Sequence, residues 1–95
     1  MKRDETTPTL KGAIADIAAE RRRQVEAEGW TPEHDDAHDD NELSRAAACY
    51  AIGNVAYWPW EAMWWKPKDR RRDLVRAAAL IVAEIERLDR AAVQS

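Results

Sequence analysis

DLVRAAALIVAEIERLDRAA, residues 73–92, decides the fold. Leu74, Ala78, Ile81, Ile85, Leu88 and Ala92 follow one another at alternating spacings of four and three, the a/d pattern of a helix that meets others along a seam. Val75, Leu80 and Val82 carry the apolar surface onto other faces, so the helix is apolar around more than half its circumference. Two neighbours from one short chain would not cover that surface. The pattern therefore predicts an oligomer as well as a helix.

Before this helix, Lys66-Pro67 breaks the chain, and Trp58-Pro59-Trp60 with Trp64-Trp65 predicts a short Trp-rich turn or helix. Upstream, Leu43, Ala46, Ala47, Tyr50 and Ala51 form one apolar side. The alanines allow close helix contact, Asp39, Asp40 or Asn41 supplies the cap, and the helix ends between 53 and 58 after Gly53-Asn54 weakens the pattern. Residues 30–40 read as a loop. The first helix spans about 9–28 on Leu10, Ile14, Ile17, Ala18 and Val25, opened by Thr7-Pro8 or Thr9 and stopped at Gly29. No strand or repeat signal is present. The predicted fold is all-α: a three-helix protomer in a helical-bundle oligomer, with a flexible tail at 1–7 and one domain over 8–95.

Composition narrows the function. Ninety-five residues hold one domain, and 15 Lys plus Arg against 18 Asp plus Glu, net charge −3, exclude a generally basic binder of long nucleic acid. One cysteine, Cys49 in an alanine run, excludes a disulfide scaffold and suits a buried small hydrophobe in a reducing compartment. The charged start Met1-Lys2-Arg3-Asp4-Glu5 does not read as a signal peptide, and the uncharged stretch Ala46 to Trp60 is too short and broken to span a bilayer. The expected location is cytoplasmic, with no membrane partner.

Five Trp, two Tyr and no Phe are the unusual feature, four of the Trp falling in residues 58–65. Indole faces stack on nucleobases, and Lys or Arg pairs with phosphate. Tyr57, Trp58, Trp60 and Trp65, followed by Lys66, Lys68, Arg70 and Arg71, thus make a candidate nucleotide site, to which Trp30, His34 and Asp35 add polar and stacking groups. The competing interpretation is that the indoles fill gaps between short helices or an interface between subunits.

Glu33, Asp35, Asp36, Asp39, Asp40 and Glu42 place six acids in ten residues around His34 and His38. His34, Asp35 and His38 are candidate metal ligands; the alternative is that they fix the turn and cap the next helix. Glu20, Arg21, Gln24 and Glu28 form a polar stripe on the first helix whose carboxylates offer a Mg²⁺–phosphate site; ordinary surface ion pairs, Glu20/Arg23 or Arg22/Glu26, are the preferred reading. No residue has the setting of a catalytic nucleophile, and no phosphate-binding glycine loop exists.

Glu20-Arg21-Arg22-Arg23-Gln24, Glu28-Gly29-Trp30, Glu33-His34-Asp35-Asp36-Ala37-His38, Trp58-Pro59-Trp60, Trp65-Lys66-Pro67 and Ala83-Glu84-Ile85-Glu86-Arg87-Leu88-Asp89-Arg90 together resemble a small group of phage and prophage proteins. More distantly, the order of features is similar to the MazG-like all-α nucleoside triphosphate pyrophosphohydrolases. That resemblance implies an oligomeric helical scaffold in the cytoplasm of an infected bacterium. It also implies Mg²⁺ or Mn²⁺ chemistry, for which Glu42, Asp73, Glu84 and the His34/Asp35 cluster would serve. The family's paired carboxylates are incomplete, because Glu42-Leu43-Ser44-Arg45-Ala46 keeps one Glu and Asp73-Leu74-Val75-Arg76 has Arg at the second place. The leading expectation is a nucleotide or nucleotide-derivative binder without a cofactor, which in a phage would sequester a host immune signal. A metal-dependent pyrophosphohydrolase and a module that binds a host protein are the alternatives.

Overall fold

The computed structural model describes residues 12–94; the tail expected at 1–7 and the start of the first helix lie outside the described residues. Among them are four α-helices, α1 (Gly12–Glu26), α2 (Pro32–Asp36), α3 (Glu42–Ile52) and α4 (Arg70–Gln94), with 3-10 turns at Val55–Tyr57 and Ala62–Trp64. No described residue lies in a strand, so the fold is all-α. No described helix is long and apolar enough to cross a membrane.

The three-helix expectation is corrected by α2, which forms where a loop was predicted. Thr31 holds an extended conformation, and its hydroxyl accepts the His34 N–H at 3.2 Å. Pro32 then occupies the first turn, where its missing N–H costs nothing. Two arginines hold the short helix in place. Arg21 donates to Asp35 at 2.8 Å and to the Trp30 carbonyl at 3.3 Å, and Arg90 donates to Asp36 at 2.8 Å and to the Pro32 carbonyl at 3.2 Å.

α3 begins at Asn41, whose backbone is left-handed (φ 67°) and whose side chain makes no cap bond. Glu42 instead accepts the Asp40 N–H at 2.7 Å. At the other end Gly53, at φ 80°, turns the chain so that Gly53 N and Asn54 N both donate to the Cys49 carbonyl. The Trp-rich segment is thereby launched back across α3.

The apolar core lies between α3 and α4: Leu43, Ala46, Ala47 and Tyr50 meet Ala77, Leu80 and Ala83. Leu43 and Leu80 are fully buried, each contributing about 1.5–3 kcal/mol by apolar burial. Trp58, Trp60 and Trp65 pack against this cluster as partial covers, and Cys49 is buried as expected. The seam that decided the fold points elsewhere. Leu74, Ile81, Ile85 and Leu88 are 42%, 48%, 51% and 52% exposed.

α1 reverses the expected polarity. Its buried residues are Glu20 and Gln24, while Ile14 is exposed and Ile17, Ala18 and Val25 are half-buried. The polar stripe read as surface is the stripe that faces the protein.

Candidate functional site

The inward face of α1 is organised by charge. Arg23 grips the buried Glu20 carboxylate with two bonds, at 2.9 and 2.8 Å, and reaches Glu28 at 2.9 Å. The Gln24 amide nitrogen adds a bond to Glu20 at 3.2 Å, and Arg72 from α4 approaches it at 3.3 Å. Burial pushes the Glu20 carboxyl up, but bonding and charge from Arg23, with Arg72 and Gln24, outweigh that and hold it below the usual glutamate value. The pairing with Glu20, and secondarily Glu28, raises Arg23 correspondingly.

Beyond this network α1 ends at Glu26, the chain turns through Gly29 at φ 76°, and Trp30 and the α2 histidines are delivered to the Trp-rich segment. They enclose a cavity of about 660 Å³ walled by Trp30, His34, His38, Pro59, Trp60 and Trp64, with Glu28 and Glu61 at its edge. Trp30 and His34 are nearly parallel, 7° apart at a 6.2 Å centroid distance, and Trp60 is 5.7 Å from Trp30 and 5.4 Å from His38. The Trp58 indole N–H donates to the Glu61 carbonyl at 3.1 Å, fixing the bend that presents Trp60. The size is that of a small-molecule site.

His34 and His38 touch through their Nε2 atoms at 3.3 Å, so one ring donates and the other accepts. Behind them, His34 Nδ1 lies 3.4 Å from Asp35 Oδ1 and His38 Nδ1 lies 3.8 Å from Glu42 Oε2. Asp35 is fully buried and bound by Arg21, and it does not line the cavity. Its geometry is that of a group that orients His34. Among the described residues no set of three His, Cys, Asp or Glu side chains is placed to hold a metal ion.

The expected site residues separate into three places. Trp30, His34 and Trp60 line the cavity together, while Trp58 and Trp65 pack on Tyr50, with centroids at 5.5 and 4.7 Å, as covers of the core. Tyr57 is exposed and stands outside the cavity wall. The basic run does not converge on the aromatic rings. The Lys68 N–H donates to Asp73 at 2.7 Å, Arg70 donates to the Ala51 carbonyl, and Arg71 pairs with Asp16 at 2.9 Å. Their positions at the start of α4 turn them toward α1 and the end of α3. Lys66 alone stays close, with Nζ 5.5 Å from the Trp64 ring.

Glu28, Glu61 and Trp64 join the wall without having been singled out for it, and the α1 pair Glu20 and Gln24 lines a smaller space beside it. The i, i+4, i+8 spacing of Glu20, Gln24 and Glu28 was the available signal. Spacing places them on one face but does not say which way that face looks. Comparison with protein-family models, with curated proteins and with solved structures gives no match.

Proposed function

We propose that the protein binds a nucleotide or nucleotide derivative, with the planar base held in the aromatic cavity, and does not turn it over. The observation that carries this reading is the juxtaposition of Trp30, His34, His38 and Trp60 around one cavity, large enough for a whole nucleoside. Stacking of a base on such rings contributes about 1–3 kcal/mol per contact. The cavity's own ionic groups are the carboxylates Glu28 and Glu61, which accept ring N–H or amino groups and repel phosphate. Phosphates therefore point out of the cavity toward Lys66 rather than to Arg70 and Arg71.

Binding without turnover is favoured over the MazG-like pyrophosphohydrolase by the occupation of the carboxylates that chemistry needs. Asp73 accepts from Lys68 N, Glu84 is gripped by Arg87 at 2.9 and 2.8 Å, and Glu42 accepts from Asp40 N. In a phage, a binder of this kind would sequester a nucleotide signal of host immunity.

The exposed α4 seam supports a homo-oligomer. Its four-three spacing is the complement of another helix, and a second copy offers the same helix. Exposed Tyr57, Met63 and Trp64 support the alternative of a protein-binding surface on the other side.

Calorimetric titration of the full chain with mono-, di- and cyclic nucleotides, with product analysis in Mg²⁺ and Mn²⁺, tests the reading. Binding heat with intact ligand, lost in Trp60→Ala, is the expected result. Silence across the panel at high micromolar ligand overturns it, and phosphate or pyrophosphate release replaces it with the hydrolase.

A further inference from the structure

Beside the aromatic cavity, and sharing Glu28, Trp30 and Trp64 with it, lies a second cavity of about 20 Å³. It has room for one water-sized group. Two buried polar atoms on the residues that line it have no hydrogen-bond partner: Gln24 Oε1 and Arg76 Nε. Gln24 is 1% exposed and Arg76 8%.

The orientation of the Gln24 amide follows from its partner. Glu20 holds a carboxylate, which accepts only, so the amide nitrogen faces Glu20 and the oxygen is left over. Arg76 is fixed by its Nη1 bond to the Lys66 carbonyl and by packing over the Tyr50 ring at 5.6 Å, which leaves Nε–H as the unused donor. One acceptor and one donor thus flank a space that admits a single exocyclic atom. Leaving such atoms unpaired in a buried place is costly, and a group that both gives and takes a hydrogen bond relieves both.

We infer that this small cavity is a recognition subsite for the donor–acceptor edge of a base whose ring lies in the aromatic cavity. The exocyclic amino or keto group enters the small space, one of its edge atoms accepting from Arg76 Nε and a neighbouring N–H donating to Gln24 Oε1. This inference rests on the base-binding reading and adds the part of the base that is read. The glutamine and arginine act as a pair, so an edge with both functions is selected and a bare C–H edge is rejected.

Titration of the full chain with adenosine, inosine and purine riboside, which keeps the ring and lacks the exocyclic group, tests it. Adenosine or inosine is expected to bind at least about tenfold more tightly than purine riboside, the usual consequence of stranding buried partners. In Gln24→Met and, separately, in Arg76→Lys, that ratio is expected to fall to within about twofold. Two variants guard against one that does not fold, checked by circular dichroism. Equal binding of all three nucleosides by the wild type overturns the subsite and leaves the aromatic site standing. A ratio that persists in both folded variants overturns it too. No binding of any nucleoside removes the subsite and the base-binding reading together.

Discussion

The two interfaces of α4 are built on opposite principles. Against α3 it buries Ala77, Leu80 and Ala83 on Leu43, Ala46, Ala47 and Tyr50, a dry contact of small and branched side chains. Against α1 it pairs Arg72 with the buried Glu20, Glu86 with Arg21 and Arg71 with Asp16, a contact built on charge, while Arg21 also holds the buried Asp35 of α2. The first contact is non-directional and tolerates repacking. The second depends on each partner being present, because an unpaired buried charge is far more costly than a missing methyl group. A fold that needed only stability would have put Ile14 and Ile17 inward. Turning the polar stripe inward leaves α1 with exposed apolar side chains and places Glu28 and Gln24 beside the aromatic cavity.

Breaking each side in turn sharpens the contrast. Arg21→Ala is expected to have the largest effect, about 4 kcal/mol by denaturant melting, because it strands the fully buried Asp35 carboxylate. Leu80→Ala follows at about 3 kcal/mol from lost burial and the cavity left behind. If Leu80→Ala proved much the more damaging, the polar interface would be secondary to the fold.

Acid provides a milder perturbation of the polar side alone. Glu20 has a folded value below its unfolded one, so its contribution is present above the unfolded value, about 4.3, and is lost as pH falls through the folded value. The melting temperature is expected to drop below about pH 4.3, with a shallower drop in Glu20→Gln. Parallel curves for the two proteins would mean that other carboxylates govern acid stability.

The smallest effect on the fold is expected at the α4 seam. Ile81→Glu with Ile85→Glu is predicted to change monomer stability by less than about 0.5 kcal/mol per site, since both residues are exposed. Light scattering is expected to show loss of oligomer in the same protein. An unchanged mass would remove the seam from the assembly.

Helix α4 and the alanine-lined contact of α3 were legible because periodicity is a local signal, while α1 and α3 end at Glu26 and Ile52, before the expected 28 and 53–58. Helix α2 was not, since its cap is a Thr31 hydroxyl and its supports, Arg21 and Arg90, are 14 and 54 residues distant from the carboxylates they hold. The inward turn of Glu20 and Gln24 was hidden for a related reason. Arg23 at i+3 is a partner the spacing shows, but Arg72, which closes over the same carboxylate and turns it inward, comes from another helix. The aromatic half of the site was visible as composition. Its basic half was overread, because the Arg70 and Arg71 side chains are taken by the Ala51 carbonyl and Asp16, and Lys68 is not among the residues that line the cavity.

The aromatic rings also form a continuous chain. From Trp30 the path runs to Trp60, on to Trp58 at 5.2 Å, then to Tyr50 and to Arg76 above it, and Arg76 returns to the small cavity that Trp30 also walls. Each ring in this chain packs on the next. A ligand bound as proposed would meet rings that already support one another, and less rotamer entropy would remain to be lost as it entered. The tryptophans that look like surplus bulk in so short a chain would then act as preorganisation of the proposed site.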